Sequence, residues 1–159
     1  MTPSFTVGSI IRVKDYEFED GSTRDKYLIV LFRNNTEAYI INSLVTSKNK
    51  LHLSGLQHGC NVSEHNGLKI PYFFFPENIV LDTATGFFFD MDSFVFFRTN
   101  VFKASIAQLL QKYSNTPFGI IELGNLGTSE LKRLLKCLLK STFISNDIKI
   151  LLTTFKDTL

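Results

Sequence analysis

Tryptophan is absent from this chain, and cysteine, methionine and proline are scarce, at two, two and four in 159 residues. Cys60 and Cys137 are too few and too far apart for a disulfide framework or a structural zinc site, so a reducing, cytoplasmic setting is expected. Charge of one sign is missing as well. Seventeen basic residues against fifteen acidic ones leave a net charge of +2, so bulk charge does not argue for nucleic acid and any basic site must be local. Long hydrophobic runs are also lacking. The longest, 27–32 and 70–76, fall far short of the ~20 residues a membrane-spanning helix needs, and no membrane partner is expected. The opening Met-Thr-Pro-Ser-Phe puts no basic residue ahead of an apolar core, so no secretory signal is expected.

What the chain does have is phenylalanine, sixteen in all, concentrated between Tyr72 and Phe102. Together with 44% hydrophobic residues this excludes disorder for most of the length and suggests one globular domain over 1–159. The segment 8–14, Gly-Ser-Ile-Ile-Arg-Val-Lys, alternates as a strand does, with Ile11 and Val13 on one face and Arg12 and Lys14 on the other. A polar Asp-Gly turn follows. Residues 26–32 form a continuous apolar run that reads as a central strand covered on both faces. Arg33-Asn-Asn-Thr36 is a hairpin signal resting on asparagine's tolerance of positive φ, and a third strand is expected from Glu37 to about Thr46.

From Ser47 to Lys69 periodicity disappears and all three histidines occur, which suggests a functional or mobile loop. Strands resume at 70–75, where Pro71 and Pro76 imply an edge or short strand, and at 78–81 and 93–98. The last third is helical. Residues 105–113 carry Ile106, Leu109 and Leu110 at helical spacing. Thr128 is the expected N-cap of a helix with Glu130 in its first turn and a Leu131, Leu134, Leu135, Leu138 stripe. Residues 145–147 cap a shorter helix ending near Phe155. The fold class is therefore mainly β (α+β): a curved antiparallel sheet over about 8–102, with helices over about 103–156.

The order of these motifs resembles the PemK/MazF family of toxin endoribonucleases. The carriers are Gly-Ser-Ile-Ile-Arg-Val at 8–13, the polar turn, a basic residue opening the strand Lys26-Tyr-Leu-Ile-Val-Leu, the Thr46-Ser47 step, Gly86 with Asp92-Ser93, and Lys103-Ala-Ser-Ile106. The resemblance implies an SH3-like antiparallel barrel that forms a homodimer. It also implies metal-independent cleavage of single-stranded RNA, no cofactor, and restraint by a cognate antitoxin protein. Lys26 and Thr46 match the family's catalytic positions. The family's Arg-Pro pair is here Lys26-Tyr27, and its carboxylate near the later strand is replaced at Arg98-Thr99-Asn100. Lysine is a point charge where arginine offers a planar fork.

Metal-free cleavage by an internal 2′-hydroxyl needs a base, charge to stabilise the phosphorane, and an acid for the leaving 5′-oxygen. Lys26 and Thr46 are the candidate catalytic residues, and Arg24, Ser47, Lys48, Arg98 and Asn100 the candidate RNA contacts. Read without the resemblance, Lys26 and Arg24 are a solvated turn paired with Asp20 or Asp25, and Arg98 and Asn100 a strand end meeting solvent. His52, His58, Cys60 and His65 follow no zinc spacing, and no metal is expected. Their segment instead suits a loop overhanging an RNA groove, where a histidine can move a proton. The alternatives are a catalytically inactive SH3-like barrel that binds a protein or RNA, and an unrelated SH3-like binding module.

Overall fold

In a computed structural model the described residues are 4–17, 21, 23–42, 45–46, 56–97, 101–113 and 119–159, without the side chains of 15–17, 23–24, 40–42, 45–46, 65 and 112–113. Nine strands and three helices follow one another among them. These are β1 Ser9–Glu17, β2 Thr23–Arg33, β3 Glu37–Asn42, β4 Val45–Thr46, β5 Gly59–His65, β6 Leu68–Phe75, β7 Ser93–Phe96, β8 Val101–Ser105, α1 Ile106–Tyr113, β9 Ile120–Asn125, α2 Thr128–Leu138 and α3 Asn146–Asp157. The fold is mainly β with C-terminal helices. Its strands make two antiparallel sheets, ordered β8-β3-β2-β1-β9 and β4-β7-β6-β5, and the described ladders do not close into a barrel.

The 26–32 run is the middle strand of the larger sheet, and both its faces are buried. Ile29 and Leu31 join Ile10, Phe73 and Phe75 of β6, Val95 of β7 and the α2 leucines in one core. Leu28 and Val30 join Ile11, Val13, Phe5 and Leu109 in another, on the α1 side. This is the alternation of a strand sandwiched between two layers. The β2–β3 hairpin forms where expected but by another device. Neither Asn34 nor Asn35 adopts positive φ. Instead Asn34 Oδ1 accepts from the Thr36 and Glu37 backbone N–H groups at 3.0 and 2.8 Å, the asparagine turn that competes with a simple ladder.

Several elements differ from the sequence expectation. The third strand ends at Asn42, and the chain then enters the second sheet as β4. Half of the expected 47–69 loop is the β5–β6 hairpin, paired from Gly59↔Phe74 to His65↔Leu68. Residues 78–81 are not a strand; their backbone is tied by Asn78 N–H to the Phe89 carbonyl and Leu81 N–H to the Phe87 carbonyl, beside the isolated Asp82↔Phe87 bridge. A strand absent from the sequence reading, β9, pairs with β1.

Proline did not confine β6 to an edge, because the missing donor is compensated. Phe97 N–H donates to the Pro71 carbonyl at 3.3 Å, and Pro71 has no N–H to return. The buried Ser141 hydroxyl donates to the Phe97 carbonyl instead, at 2.6 Å. The ladder therefore loses no partner at this rung, which is what an interior proline requires.

The leucine stripe of α2 is buried as read, with Cys137 beside it. The N-cap is Gly127 rather than Thr128, with no side-chain cap. In α3, Ser145 caps as expected by accepting from Ile148 N–H.

Candidate functional site

Strand register defines the end of the larger sheet at which positions 24 and 26 lie. Val13 lies opposite Lys26, Leu28 opposite Asn42, Ile41 opposite Val101, and Val13 opposite Ile120. At this end β1 and β3 leave the sheet while β2, β8 and β9 enter it. From Asn42 to Val45 is three residues, at most about 11 Å of chain, so β4 and Thr46 stay close to that end. Thr46 pairs with Ser93, and just before Ser93 the chain carries Phe89 and Asp90 back to Tyr27. The Phe89 ring stands edge-on to Tyr27, centroids 5.9 Å apart.

Lys26 lies two residues after Arg24 in β2. Lys26 is 9% exposed and shares the α1-side face with Leu28 and Val30. The Arg24 and Thr46 side chains, and Ser47, Lys48, Arg98 and Asn100 altogether, lie outside the described residues. Of the described residues beside them, Val101 pairs with Ile41 at the end just outlined and Thr46 follows Asn42 within the reach given above.

Two residues the sequence reading did not single out as functional sit on the opposite face. Arg12 is directly across the β1–β2 ladder from Tyr27, so both side chains point the same way. Tyr27 packs on the core that includes Phe73, Phe75 and Val95 of the second sheet, so this is the face turned toward the sheet that carries Thr46. The Arg12 guanidinium lies 3.9 Å from Asp25 Oδ2, and its Nε is buried with no hydrogen-bond partner among the described residues. Burial first, then the Asp90 carboxylate, and with them Asp25, hold the Tyr27 hydroxyl above the usual phenol range against the pull of Arg12. Tyr27 therefore stays protonated, as a donor, at neutral pH. Strand alternation had marked Arg12 as facing away from Ile11. It could not reveal that a tyrosine stands opposite, because that depends on register.

Of the three histidines, His58 has an ion-pair partner among the described residues, while His52 and the His65 side chain lie outside them. His58 Nε2 meets Glu130 Oε1 at 2.5 Å, Glu130 Oε2 accepts from Arg133 at 3.0 Å, and Arg133 donates to the His58 carbonyl at 2.7 Å. Arg133 also lies over the Phe73 ring, 5.8 Å from its centroid. Beside this cluster Cys60 and Cys137 form a disulfide, with Cα atoms 5.4 Å apart. The two cysteines, expected to be too few and too far apart for a disulfide framework, are thus paired with each other. Residues 77 apart in sequence carry no local signal of pairing. Among the described residues no cluster of three or more His, Cys, Asp or Glu is arranged for a metal. No helix among them is long and apolar enough to cross a membrane.

No protein-family model, curated protein or solved structure matches this chain.

Proposed function

We propose that this protein cleaves single-stranded RNA without a metal, as the toxin of a toxin–antitoxin pair. The observation that supports this is that Lys26 opens β2 at the end of the larger sheet where β3 ends at Asn42, three residues before β4, which carries Thr46. Two cations and a hydroxyl donor lie there on the two faces of β2, Lys26 on one and Arg12 with Tyr27 on the other, and positive charge of this kind is one of the services that transesterification by an internal 2′-hydroxyl asks of a protein. In this scheme Lys26 supplies charge to the phosphorane and Thr46 a hydroxyl to a phosphate oxygen, with Arg24, Ser47, Lys48, Arg98 and Asn100 guiding the strand. The exposed Ile79, Val80 and Phe88, at 44, 51 and 45%, give an apolar surface for a second copy, and a cognate antitoxin is the partner that would restrain the activity in a cytoplasm.

The test is cleavage of a long single-stranded RNA in excess chelator by the parent and two variants. Lys26→Ala should lower the rate about a hundredfold or more, the usual cost of one group that stabilises transition-state charge. Lys26→Arg should retain or raise it by restoring the bidentate fork. Cleavage by Lys26→Ala at the parent's rate would remove Lys26 from the mechanism.

A catalytically inactive binder of RNA or protein is the alternative, and the burial of Lys26 favours it. A side chain 9% exposed on the α1 side must emerge from its packing to reach a phosphate. Absence of cleavage by both the parent and Lys26→Arg would select this alternative.

A further inference from the structure

We propose that Arg12 and Tyr27 form a subsite for one internal phosphodiester of a single-stranded RNA, on the face of the larger sheet opposite Lys26. The RNA part of this assignment rests on the function proposed above; the anion site itself rests on the side chains. Buried polar atoms nearly always have partners, and one without a partner asks for an explanation. Arg12 Nε has none among the described residues, and the carboxylate nearest to it in an ion pair, Asp25, stands at 3.9 Å, beyond hydrogen-bond length. The Arg12 side chain is nevertheless 33% exposed, so with Nε buried the two Nη groups are the part of the guanidinium a ligand can reach. A phosphate's two oxygens match such a fork.

Tyr27 completes the subsite. It lies across the ladder on the same face, its ring is held by the edge-on Phe89, and its hydroxyl remains a donor at neutral pH for the reasons given above. Asp25 and Asp90 set the selectivity. Both carboxylates act on this pair, Asp25 on Arg12 and Asp90 on Tyr27, so each added negative charge on the ligand is opposed. A phosphodiester brings one charge and a terminal phosphate nearly two. The site therefore favours the interior of a strand over its phosphorylated end.

The experiment measures binding of a labelled, fully 2′-O-methylated oligoribonucleotide of randomised sequence, which cannot be cleaved through its 2′-oxygens, across a series of salt concentrations. Arg12→Met should weaken binding about tenfold, the worth of a charge-assisted hydrogen bond, and lower the salt slope by about one. Its melting temperature should match or exceed the parent's, because the stem stays and the unpaired donor goes. Tyr27→Phe should weaken binding by less and leave the slope unchanged. Inorganic phosphate should compete poorly.

A merely structural Arg12 would instead lower melting and leave the slope alone. Should Arg12→Met fail to fold, Arg12→Lys serves: the slope is kept and affinity falls with the lost fork. Parental affinity and slope in Arg12→Met, or no binding by the parent, overturns the subsite. Arg12-dependent binding without any RNA cleavage leaves the subsite standing and removes the ribonuclease function. Cleavage with Arg12-independent binding does the reverse.

Discussion

Tyr27 shows how one position can bear on both stability and chemistry. Its ionisation is raised by burial first and then by Asp90 and Asp25, so the folded protein holds this proton more tightly than the unfolded chain does. The resulting stabilisation is fully present below the ordinary phenol value of 10.0 and is lost as pH rises through the higher folded value. Tyr27→Phe should therefore make the alkaline fall in stability shallower, read as urea midpoints at pH 9 and above 10. Tyr72, raised by burial alone, accounts for a remaining decline. An unchanged alkaline slope in Tyr27→Phe would mean the phenol is not perturbed. Tyr27 and Lys26 were both visible in the sequence as members of one strand. Their assignment to opposite faces follows from alternation. That Tyr27 faces Arg12, and that Lys26 is buried, needed the register and the position of α1.

At the scale of elements, α2 is the best example of what a sequence does and does not disclose. Its leucines recur at helical spacing, and all four are buried. Glu130 was read as a complement to the helix dipole. In the fold it is also the partner of His58, 72 residues away, a distance over which no pattern in the sequence speaks. The β5 strand was missed for a related reason. Gly59, Asn61, Ser63 and His65 offer no apolar alternation, and what fixes the strand is tertiary. Gly59 sits at φ +119, and a Cβ there would fall 2.4 Å from Arg133 Nη2, so glycine is what lets Arg133 reach the His58 carbonyl. The Cys60–Cys137 bond closes a separation of 77 residues, which in the chain-entropy account is worth about 4 kcal/mol. Adding a reductant should therefore lower the urea midpoint of the parent by an amount equivalent to about 2–4 kcal/mol. The same reductant should not move a Cys60→Ser, Cys137→Ala double variant. A parent indifferent to reductant would mean the two thiols are not joined in solution.

For the whole molecule, the class was legible and the closure was not. A strand-rich chain with helices at its end could be read from β-formers, turns and helical spacing. Among the described residues the strands make two antiparallel sheets, and the strand expected to run to Thr46 ends at Asn42, with Thr46 in the other sheet. The surface that results bears on assembly. With Ile79, Val80 and Phe88 exposed, a homodimer should appear by sedimentation velocity at micromolar concentration, and Ile79→Asp should shift it to monomer. A monomer in the parent would contradict pairing through that patch.

The proposed function is metal-free cleavage of single-stranded RNA at the end of the larger sheet where β2 begins. Its most direct test is the chemistry of the RNA ends. Purified protein is incubated with a long single-stranded RNA in excess chelator, and the fragments are analysed by mass. Attack by the internal 2′-hydroxyl leaves a 2′,3′-cyclic phosphate on one fragment and a 5′-hydroxyl on the next, at discrete positions that chelator does not suppress. Intact RNA, or fragments with 5′-phosphates that vanish with chelator, would contradict it.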